Sequence, residues 1–336
     1  MSVDDLTKDS AIHASLARLL PDDDIKLGMR LRIPPRRNSG PLVGTAYDYM
    51  VRFELERQHP NALTRRWVAE GAVETVAPIA GLGIFEIRAG NGEIRASVDG
   101  EVAARWVTVV RSARKAHKAY VADPAPSAEA RRSLACHALR LARIDTFVRA
   151  EYVDVDPSRV EPADAEDVLE LLEATPFDRL GSRDLLWLNP TFGDQSTRVG
   201  GADADIISGT SLLDLKTVKT PTPRGDLRQL LAYLFLARAA RATDPSFPAI
   251  VTIGIYYSRQ CQPWLLPVHG FTQMTEFSDV EHEFFERAET LFPRPLEHKG
   301  RRPPARPNGG TAGDSPKPTR TGAKASARQG SARPTR

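Results

Sequence analysis

The stretch GGADADIISGTSLLDLKTVKT, residues 200–220, places three aspartates and two lysines around a short turn. Charged and apolar residues alternate before and after that turn, which is the pattern of two strands in an antiparallel hairpin. Strands seldom carry so many charges beside so many apolar residues. The charged face of this hairpin is therefore the first candidate for a functional site.

Two turn lengths are compatible with this hairpin, and they pair different acids. If residues 208–209 form a two-residue turn, Asp203 lies opposite Asp214. If the loop is 208–211, Asp205 lies opposite Asp214 instead. All three acids share one face of the hairpin in both registers, because side chains alternate along each strand.

The charged face also carries Lys216, two residues beyond Asp214, while the opposite face is wholly apolar. We expect that apolar face to pack against a helix. Its members are Ala204, Ile206, Leu213 and Leu215.

Directly opposed carboxylates repel each other and destabilise a sheet unless something offsets their charge. A divalent cation would do so, since Mg²⁺ takes one or two carboxylates and completes its shell with water and substrate phosphate. Lys216 would then lie beside the ion and hold or activate a water. The simpler alternative is a solvated strand face on which Lys216 is only a counter-charge.

The order of the remaining elements predicts an α/β fold with a mixed central sheet flanked by helices. Helical patterns dominate the first half of the chain, and strand patterns begin near residue 185. The predicted helices lie at 11–20, 44–58, 61–79, 105–121, 128–151, 164–175, 224–242 and 277–292, and the predicted strands at 184–193, 197–209, 211–220, 248–260 and 261–270.

Three segments are predicted: a peripheral N-terminal segment at 1–40, a main domain at 41–293 with a helical insertion at about 60–180, and a tail at 294–336. The tail is poor in large apolar residues, which predicts disorder. It carries eleven Lys and Arg against two acids, a balance of +9 in a chain whose net charge is +3. Such a tail favours a polyanionic partner. A merely solubilising tail is the alternative.

The two cysteines, Cys136 and Cys261, are far apart and match no metal-ligand spacing, which argues against a disulfide framework or an iron–sulfur cluster. The seven histidines show no zinc-ligand spacing. No signal peptide or membrane-spanning stretch is visible, so we expect a cytoplasmic protein without a membrane partner.

At this point the sequence resembles the PD-(D/E)XK nuclease superfamily, in the branch related to the RecB nuclease domain. Asp214-Leu215-Lys216 matches the (D/E)-x-K triplet of that superfamily. Gly200 and Asp203 match the G-x-x-D pattern of the branch. The resemblance spans roughly residues 44–270 and implies a restriction-endonuclease-like core.

Two further motifs extend the resemblance. Gln229 and Tyr233 supply the Q-x-x-x-Y motif of the branch, and at i and i+4 they share one face of a helix. Upstream, GTAYDYM resembles the first motif, but Asp48 stands where the branch has a metal-binding histidine. Asp205 is also close to the expected distance from the triplet, so the choice between it and Asp203 depends on the turn.

The resemblance implies hydrolysis of DNA phosphodiester bonds with Mg²⁺ or Mn²⁺ as cofactor. The implied catalytic residues are Asp205, Asp214, Lys216, Gln229 and Tyr233. The implied metal ligands are Asp48, Asp203, Asp205, Asp214 and the carbonyl of Leu215. The implied partner is DNA, single-stranded or with free ends, with RNA left open, together with a helicase or another protein encoded elsewhere.

A basic stripe on the predicted helix at 105–121 is a candidate contact for the DNA backbone. A solvated helix face is the ordinary alternative. The stripe consists of Arg111, Arg114, Lys115 and Lys118.

The sequence thus favours a metal-dependent deoxyribonuclease acting in repair, recombination or defence against foreign DNA. The alternative is a catalytically inactive nuclease-fold protein that serves as a DNA-binding or assembly module. The aspartate in the first motif, where a histidine is expected, is the feature that favours this alternative.

Overall fold

The computed structural model describes residues 3–21, 25–88, 94–182 and 184–292. The helices are α1 (Val3–Leu6), α2 (Ser10–Ala17), α3 (Gly40–Gln58), α4 (Val68–Val76), α5 (Gly100–Ala122), α6 (Ala128–Ala150), α7 (Pro162–Glu173), α8 (Phe177–Leu180), α9 (Asp194–Arg198), α10 (Pro223–Thr243), α11 (His269–Thr272) and α12 (Phe277–Leu291). The strands are β1 (Leu63–Thr64), β2 (Ile84–Arg88), β3 (Ile94–Asp99), β4 (Leu186–Leu188), β5 (Ile206–Ser208), β6 (Ser211–Lys216), β7 (Thr252–Tyr257) and β8 (Gln262–Pro267).

One mixed sheet organises the fold, with strand order β1-β4-β5-β6-β7-β8. The pairs β4–β5, β5–β6 and β7–β8 are antiparallel, whereas β1–β4 and β6–β7 are parallel. The helix α10 connects β6 to β7, because parallel neighbours need a long crossover. The strands β2 and β3 form a separate antiparallel hairpin. The predicted α/β class with a mixed sheet and flanking helices is confirmed.

Helices cover both faces of the sheet. One core packs Leu186, Ile206 and Leu213 against α3, α4, α5, α6 and α7. The second core packs Ile207 and Leu212 against α1, α2, α10 and α12. Leu212 and Leu213 enter different cores because successive side chains of a strand point to opposite faces.

The helices α1 and α2 belong to the second core. Leu6 and Ile12 are almost fully buried there, and the guanidinium of Arg287 on α12 holds the carboxylate of Asp9 at 2.7 and 3.0 Å. The prediction that 1–40 is peripheral is therefore wrong for this part of the chain. The burial of the apolar residues of α1 and α2 depends on α10 and α12, which lie far away in sequence.

The insertion predicted at about 60–180 is mostly helical, with α4 to α8 inside it, but it also contains β1 and the β2–β3 hairpin. The predicted helix at 61–79 is wrong at its start, where β1 pairs with β4. The β2–β3 hairpin was not predicted. Each of its strands is short and exposes one isoleucine, Ile84 or Ile94, although the alternate positions Phe85, Ile87, Ala96 and Val98 pack against the core formed by α3 to α7.

The strand predicted at 197–209 is much shorter in the structure. The helix α9 occupies its first residues, and β5 begins only at Ile206. Between them, Gly200 and Gly201 have φ of +75° and +116°. Such left-handed backbone is open to glycine and cannot continue a strand.

No described helix combines the length and the apolar character that crossing a membrane requires. The tail at 294–336, for which disorder was predicted, lies outside the described residues.

A buried ion pair fixes the chain segment that leads into α3. The guanidinium of Arg259, in the 3₁₀ turn after β7, donates two hydrogen bonds of 3.0 Å to the carboxylate of Asp167 on α7. The same side chain donates to the carbonyl of Ile33 at 3.3 Å. Both charged side chains are 1% exposed. Removing one partner would leave an uncompensated buried charge.

We therefore expect Arg259→Ala to lower the free energy of unfolding by about 3–5 kcal/mol, as for other broken buried pairs. Urea denaturation followed by circular dichroism measures this loss. The matched control is Arg18→Ala, which removes a pair with Glu283 whose side chains are 39% and 40% exposed, and its effect should be much smaller. Equal losses for both variants would contradict the structural role given to Arg259.

A candidate metal site at the end of the hairpin

A cleft of about 670 Å³ opens beside the ends of β5 and β6. It brings together every residue that the sequence assigned to metal binding or catalysis. These residues are Asp48, Asp203, Asp205, Asp214, Leu215, Lys216, Gln229 and Tyr233. A separate cleft of about 690 Å³ beside His59 contains none of them.

The observed register places Asp205 opposite Asp214. Ser208 pairs with Ser211 across a two-residue turn, and the last regular pair is Ile206 with Leu213, so the next position joins the two acids. This is the register expected for the 208–211 loop, and the alternative that opposes Asp203 to Asp214 is wrong.

The turn itself explains the register. Gly209 has φ of +57°, and the first position of a two-residue type II′ turn is reserved for glycine. The residue at this position therefore fixes which acids meet.

The apolar face of the hairpin agrees with its prediction in three of four positions. Ile206, Leu213 and Leu215 pack into the core formed by α3 to α7. Ala204 instead joins the core formed around α10. The strand is irregular here, since Ala204 precedes the regular pairing of β5 and its amide donates to the carbonyl of Pro190.

The carboxylate of Asp205 is fixed by the backbone of the neighbouring strand. Its Oδ2 accepts a hydrogen bond of 2.6 Å from the amide of Leu215. Burial raises the pKa of Asp205 well above its ordinary value, and the charges of Asp214 and then Asp48 raise it further. An ionised Asp205 is thus unfavourable in this cleft unless a positive charge approaches it.

A chain of polar contacts links Asp214 to α10. Lys216 Nζ lies 2.8 Å from Asp214 Oδ2 and donates to Gln229 Oε1 at 2.6 Å. Gln229 Nε2 in turn donates to the hydroxyl of Tyr233 at 3.1 Å. Gln229 and Tyr233 can contact each other because i and i+4 positions lie on one face of a helix.

The cleft shifts the pKa of Asp214, Lys216 and Tyr233, the titratable members of this chain. Burial, with the charges of Asp226 and Asp48, raises the pKa of Asp214 although its pairing with Lys216 lowers it. Burial alone would lower the pKa of Lys216, but attraction to Asp214, followed by Asp205 and Asp226, outweighs it and raises the pKa. The neighbouring acids therefore favour Lys216 as a cation, which can neutralise negative charge.

Asp48 reaches the cleft from α3 and is already paired with a cation. Its Oδ2 forms a close ion pair with the guanidinium of Arg52, which is 2% exposed and lies over the ring of Tyr49. The other oxygen, Oδ1, is buried and has no hydrogen-bond partner. Asp48 thus has one oxygen left for a ligand, but Arg52 already neutralises its charge.

Asp203 lines the same cleft without facing Asp214. It forms an isolated antiparallel bridge with Thr191, outside the regular pairing of β5. Within the described residues, no three His, Cys, Asp or Glu side chains lie close enough to form a metal cage by themselves. The structure therefore favours Asp205 over Asp203 as the partner of Asp214.

The opposed pair nevertheless fits a hard divalent cation. Asp214 Oδ2 is buried, and its polar contact is the ion pair with Lys216 Nζ at 2.8 Å. Carboxylate oxygens are the ligands that Mg²⁺ prefers, and one or two suffice when water and phosphate complete the shell. Asp205, Asp214 and the carbonyl of Leu215 could hold Mg²⁺ or Mn²⁺ in this way.

The basic stripe lies on α5, outside the residues that line the cleft. Its Arg114 is held by the carboxylate of Glu70 and stacks on Trp67, 3.7 Å from the ring centroid. The other members, Arg111, Lys115 and Lys118, are exposed. Arg114 thus has a structural role, and contact of the stripe with DNA stays a prediction.

Two arginines of the cleft region were missed by the sequence analysis. Arg52 pairs with Asp48, and Arg149 on α6 lines the cleft while its Nε lies 4.0 Å from Asp145. Each arginine follows its acid by four residues, a spacing at which opposite charges meet on a helix. That spacing was the available signal.

Comparison with protein-family models, with curated proteins and with solved structures finds no match for this chain. The resemblance to the PD-(D/E)XK nucleases therefore remains a prediction from its motifs. The case for a function rests on the residues of the cleft.

The raised pKa of Asp205 predicts a pH-dependent stability in EDTA. The folded protein holds this proton to higher pH than the unfolded chain, in which an aspartate titrates near pH 4. The contribution of Asp205 to stability should therefore become less favourable as pH rises from about 4 through the raised pKa. Asp205→Asn removes the titrating group, so its stability relative to the wild type should increase with pH in denaturation series.

Asp203→Asn is the matched control, because it makes the same change in the same cleft outside the opposed pair. It should retain the pH dependence of the wild type. A stability difference between Asp205→Asn and the wild type that stays constant from pH 4 to pH 8 would contradict this description of the site.

Proposed function

We propose that this chain is a metal-dependent nuclease that hydrolyses DNA phosphodiester bonds, with a restriction-endonuclease-like core of the PD-(D/E)XK, RecB-like type. The observation that carries the proposal is the opposition of Asp205 and Asp214 on adjacent strands, in one cleft with Lys216. Asp214 and Lys216 belong to the matched triplet, and Asp205 is close to the expected distance from it, whereas the G-x-x-D match is carried by Asp203.

The order of elements supports this core. The β5–β6 hairpin carries the acids, α10 carries Gln229 and Tyr233, and β7 returns parallel to β6. This arrangement lets one short stretch of chain deliver the acids, the lysine and the helix residues to one end of the sheet.

When bound, a divalent cation supplies Lewis-acid polarisation of the scissile phosphate and lowers the pKa of a bound water. The residues that would hold it are Asp205, Asp214 and the carbonyl of Leu215, with Asp48 Oδ1 beside them. The protein thereby provides two negative charges and leaves room for substrate oxygens.

Lys216 contributes a fixed positive charge. Its contacts with Asp214 and Gln229 hold the ammonium in place before substrate arrives. A positioned cation of this kind stabilises the negative charge that develops on a phosphoryl group in the transition state. Tyr233 holds Gln229 and acts on the reaction through it, as a positioning residue.

A second candidate function is a nuclease-fold protein that binds DNA or assembles with partners and does not cleave. The pairing of Asp48 with Arg52 favours it, because this acid is already neutralised where the resemblance implies a metal ligand. The opposition of Asp205 and Asp214 favours the enzyme, because facing carboxylates destabilise a sheet and a binding module has no need of them.

In the cell, the proposed nuclease would act in DNA repair, recombination or defence against foreign DNA. A helicase or another protein encoded elsewhere would be its partner. Both statements rest on the resemblance.

Incubation of the full chain with linear, circular and single-stranded DNA, in Mg²⁺, Mn²⁺ or EDTA, tests the proposal. We expect metal-dependent cleavage by the wild type and at least about a 10²-fold slower rate for Lys216→Ala, the scale seen when one electrostatic stabiliser is removed. DNA binding by this variant should persist.

Lys219→Ala is the matched control, because Lys219 is exposed and lies three residues further along the chain. It should cleave at the wild-type rate. If the wild type binds DNA but cleaves none of the substrates with either metal, the binding module is the correct function.

A further inference from the structure

Two more clefts adjoin the candidate metal site, one on each side. The first, of about 710 Å³, shares Val68, Gly200, Gly201, Ala202 and Asp203 with it. The second, of about 430 Å³, shares Thr45 and Arg149. The metal site thus lies in the middle of a groove that continues in two directions.

Glycines keep the first junction open. Gly201 has φ of +116°, and a Cβ at this position would meet nothing within 4 Å. No side chain therefore stands between the metal site and the first flanking cleft at this point. The glycine pair matched the G-x-x-D motif only through Gly200, so Gly201 has a separate role as the floor of the groove.

An exposed cation lines the first flanking cleft. Arg65 follows β1, its backbone amide donates to the carbonyl of Leu188, and its side chain is exposed. No ion pair of this guanidinium is found in the described part of the chain. Its neighbour Arg66 pairs with Glu74 at 2.6 Å on the surface.

A second cation stands at the other junction. The side chain of Arg149 is 49% exposed, and its Nε lies 4.0 Å from Asp145 Oδ2. Asp145 is 1% exposed, and its Oδ1 accepts a hydrogen bond of 3.0 Å from Tyr49. A buried, anchored acid thus lies at the limit of ion-pair distance from the guanidinium of Arg149, and this arginine lines both clefts.

The charge order along the groove is therefore arginine, acids, arginine. A strand of nucleic acid presents a negative phosphate at every nucleotide, and its phosphates bind to such exposed arginines. A cation on the central acids would make the whole path attractive to it.

The dimensions favour a single strand. Each of the three clefts has a volume between about 430 and 710 Å³, which is the range of pockets for small molecules and hence for individual nucleotides. A row of three such spaces matches successive nucleotides of one strand.

We propose that this groove binds single-stranded nucleic acid, with Arg65 and Arg149 contacting phosphates on opposite sides of the cleavage position. The proposal deepens the proposed function and rests on it. Both arginines lie in the insertion between α3 and β4, outside the motifs that suggested the nuclease.

Binding of a fluorescein-labelled 12-nucleotide DNA strand, followed by anisotropy in Mg²⁺ over a series of salt concentrations, tests the groove. All proteins carry Lys216→Ala so that cleavage does not consume the probe. In the Arg65→Ala, Arg149→Ala double variant, the slope of log affinity against log salt should fall by about 1.4, or about 0.7 for each lost phosphate contact on a single strand.

The matched control is Arg131→Ala, Arg132→Ala. It removes the same charge from exposed positions of α6, about 26 Å from Arg149 at 1.5 Å per residue. Its slope should equal that of the parent. Arg65→Lys, Arg149→Lys keeps the charge and should keep the slope, which guards against loss through misfolding.

Several results would overturn the groove. The first is an unchanged salt slope in the Arg65→Ala, Arg149→Ala variant. The second is an equal loss of slope in the Arg131→Ala, Arg132→Ala control or in the Arg65→Lys, Arg149→Lys variant. The third is a duplex that binds as tightly as the single strand and depends equally on Arg65 and Arg149. If the double alanine variant keeps the salt slope of its parent and the wild type still cleaves DNA, the groove proposal is wrong but the proposed nuclease function stands. A reduced slope in a protein that never cleaves DNA would refute the enzyme and leave the groove standing.

Discussion

Two carboxylates that face each other in a buried hairpin are the constraint on which the site depends. The turn at Gly209 sets the register that opposes Asp205 to Asp214, and burial raises the pKa of both. A sheet gains nothing from such a pair, because like charges across strands are destabilising. The neighbouring cations explain how the pair persists, since Lys216 lies at 2.8 Å from one acid.

Helices from both faces of the sheet contribute side chains to the cleft at this end of the sheet. From one core, α10 supplies Gln229, which holds the ammonium of Lys216. From the other, α3 supplies Asp48 together with its buried partner Arg52. Together with the hairpin, α10 and α3 thus supply most of the polar side chains of the cleft, while α6 supplies Arg149. Such preorganisation is what electrostatic catalysis of phosphoryl transfer requires.

Much of this arrangement could be predicted from the sequence, because its causes are local. Strand alternation placed the acids on one face, and the i, i+4 spacing placed Gln229 and Tyr233 together. The register could not be predicted, because both turn lengths satisfied the same alternation. The pairing of Asp48 with Arg52 is local, but its burial depends on tertiary packing.

The insertion between α3 and β4 contains further features that could not be predicted from the sequence. The β2–β3 hairpin is a local pairing of two short strands that no motif marks. The position of Arg149 beside the cleft arises from contacts between distant segments. For the same reason the core contribution of α1 and α2 was missed.

Crystals of the full chain grown with Mn²⁺ at about pH 8 test the central claim most directly through anomalous diffraction. The account predicts one anomalous peak bound by carboxylate oxygens of both Asp205 and Asp214, with Lys216 beside it. A cleft without such a peak, with the two carboxyl groups joined to each other by a shared proton, would contradict it.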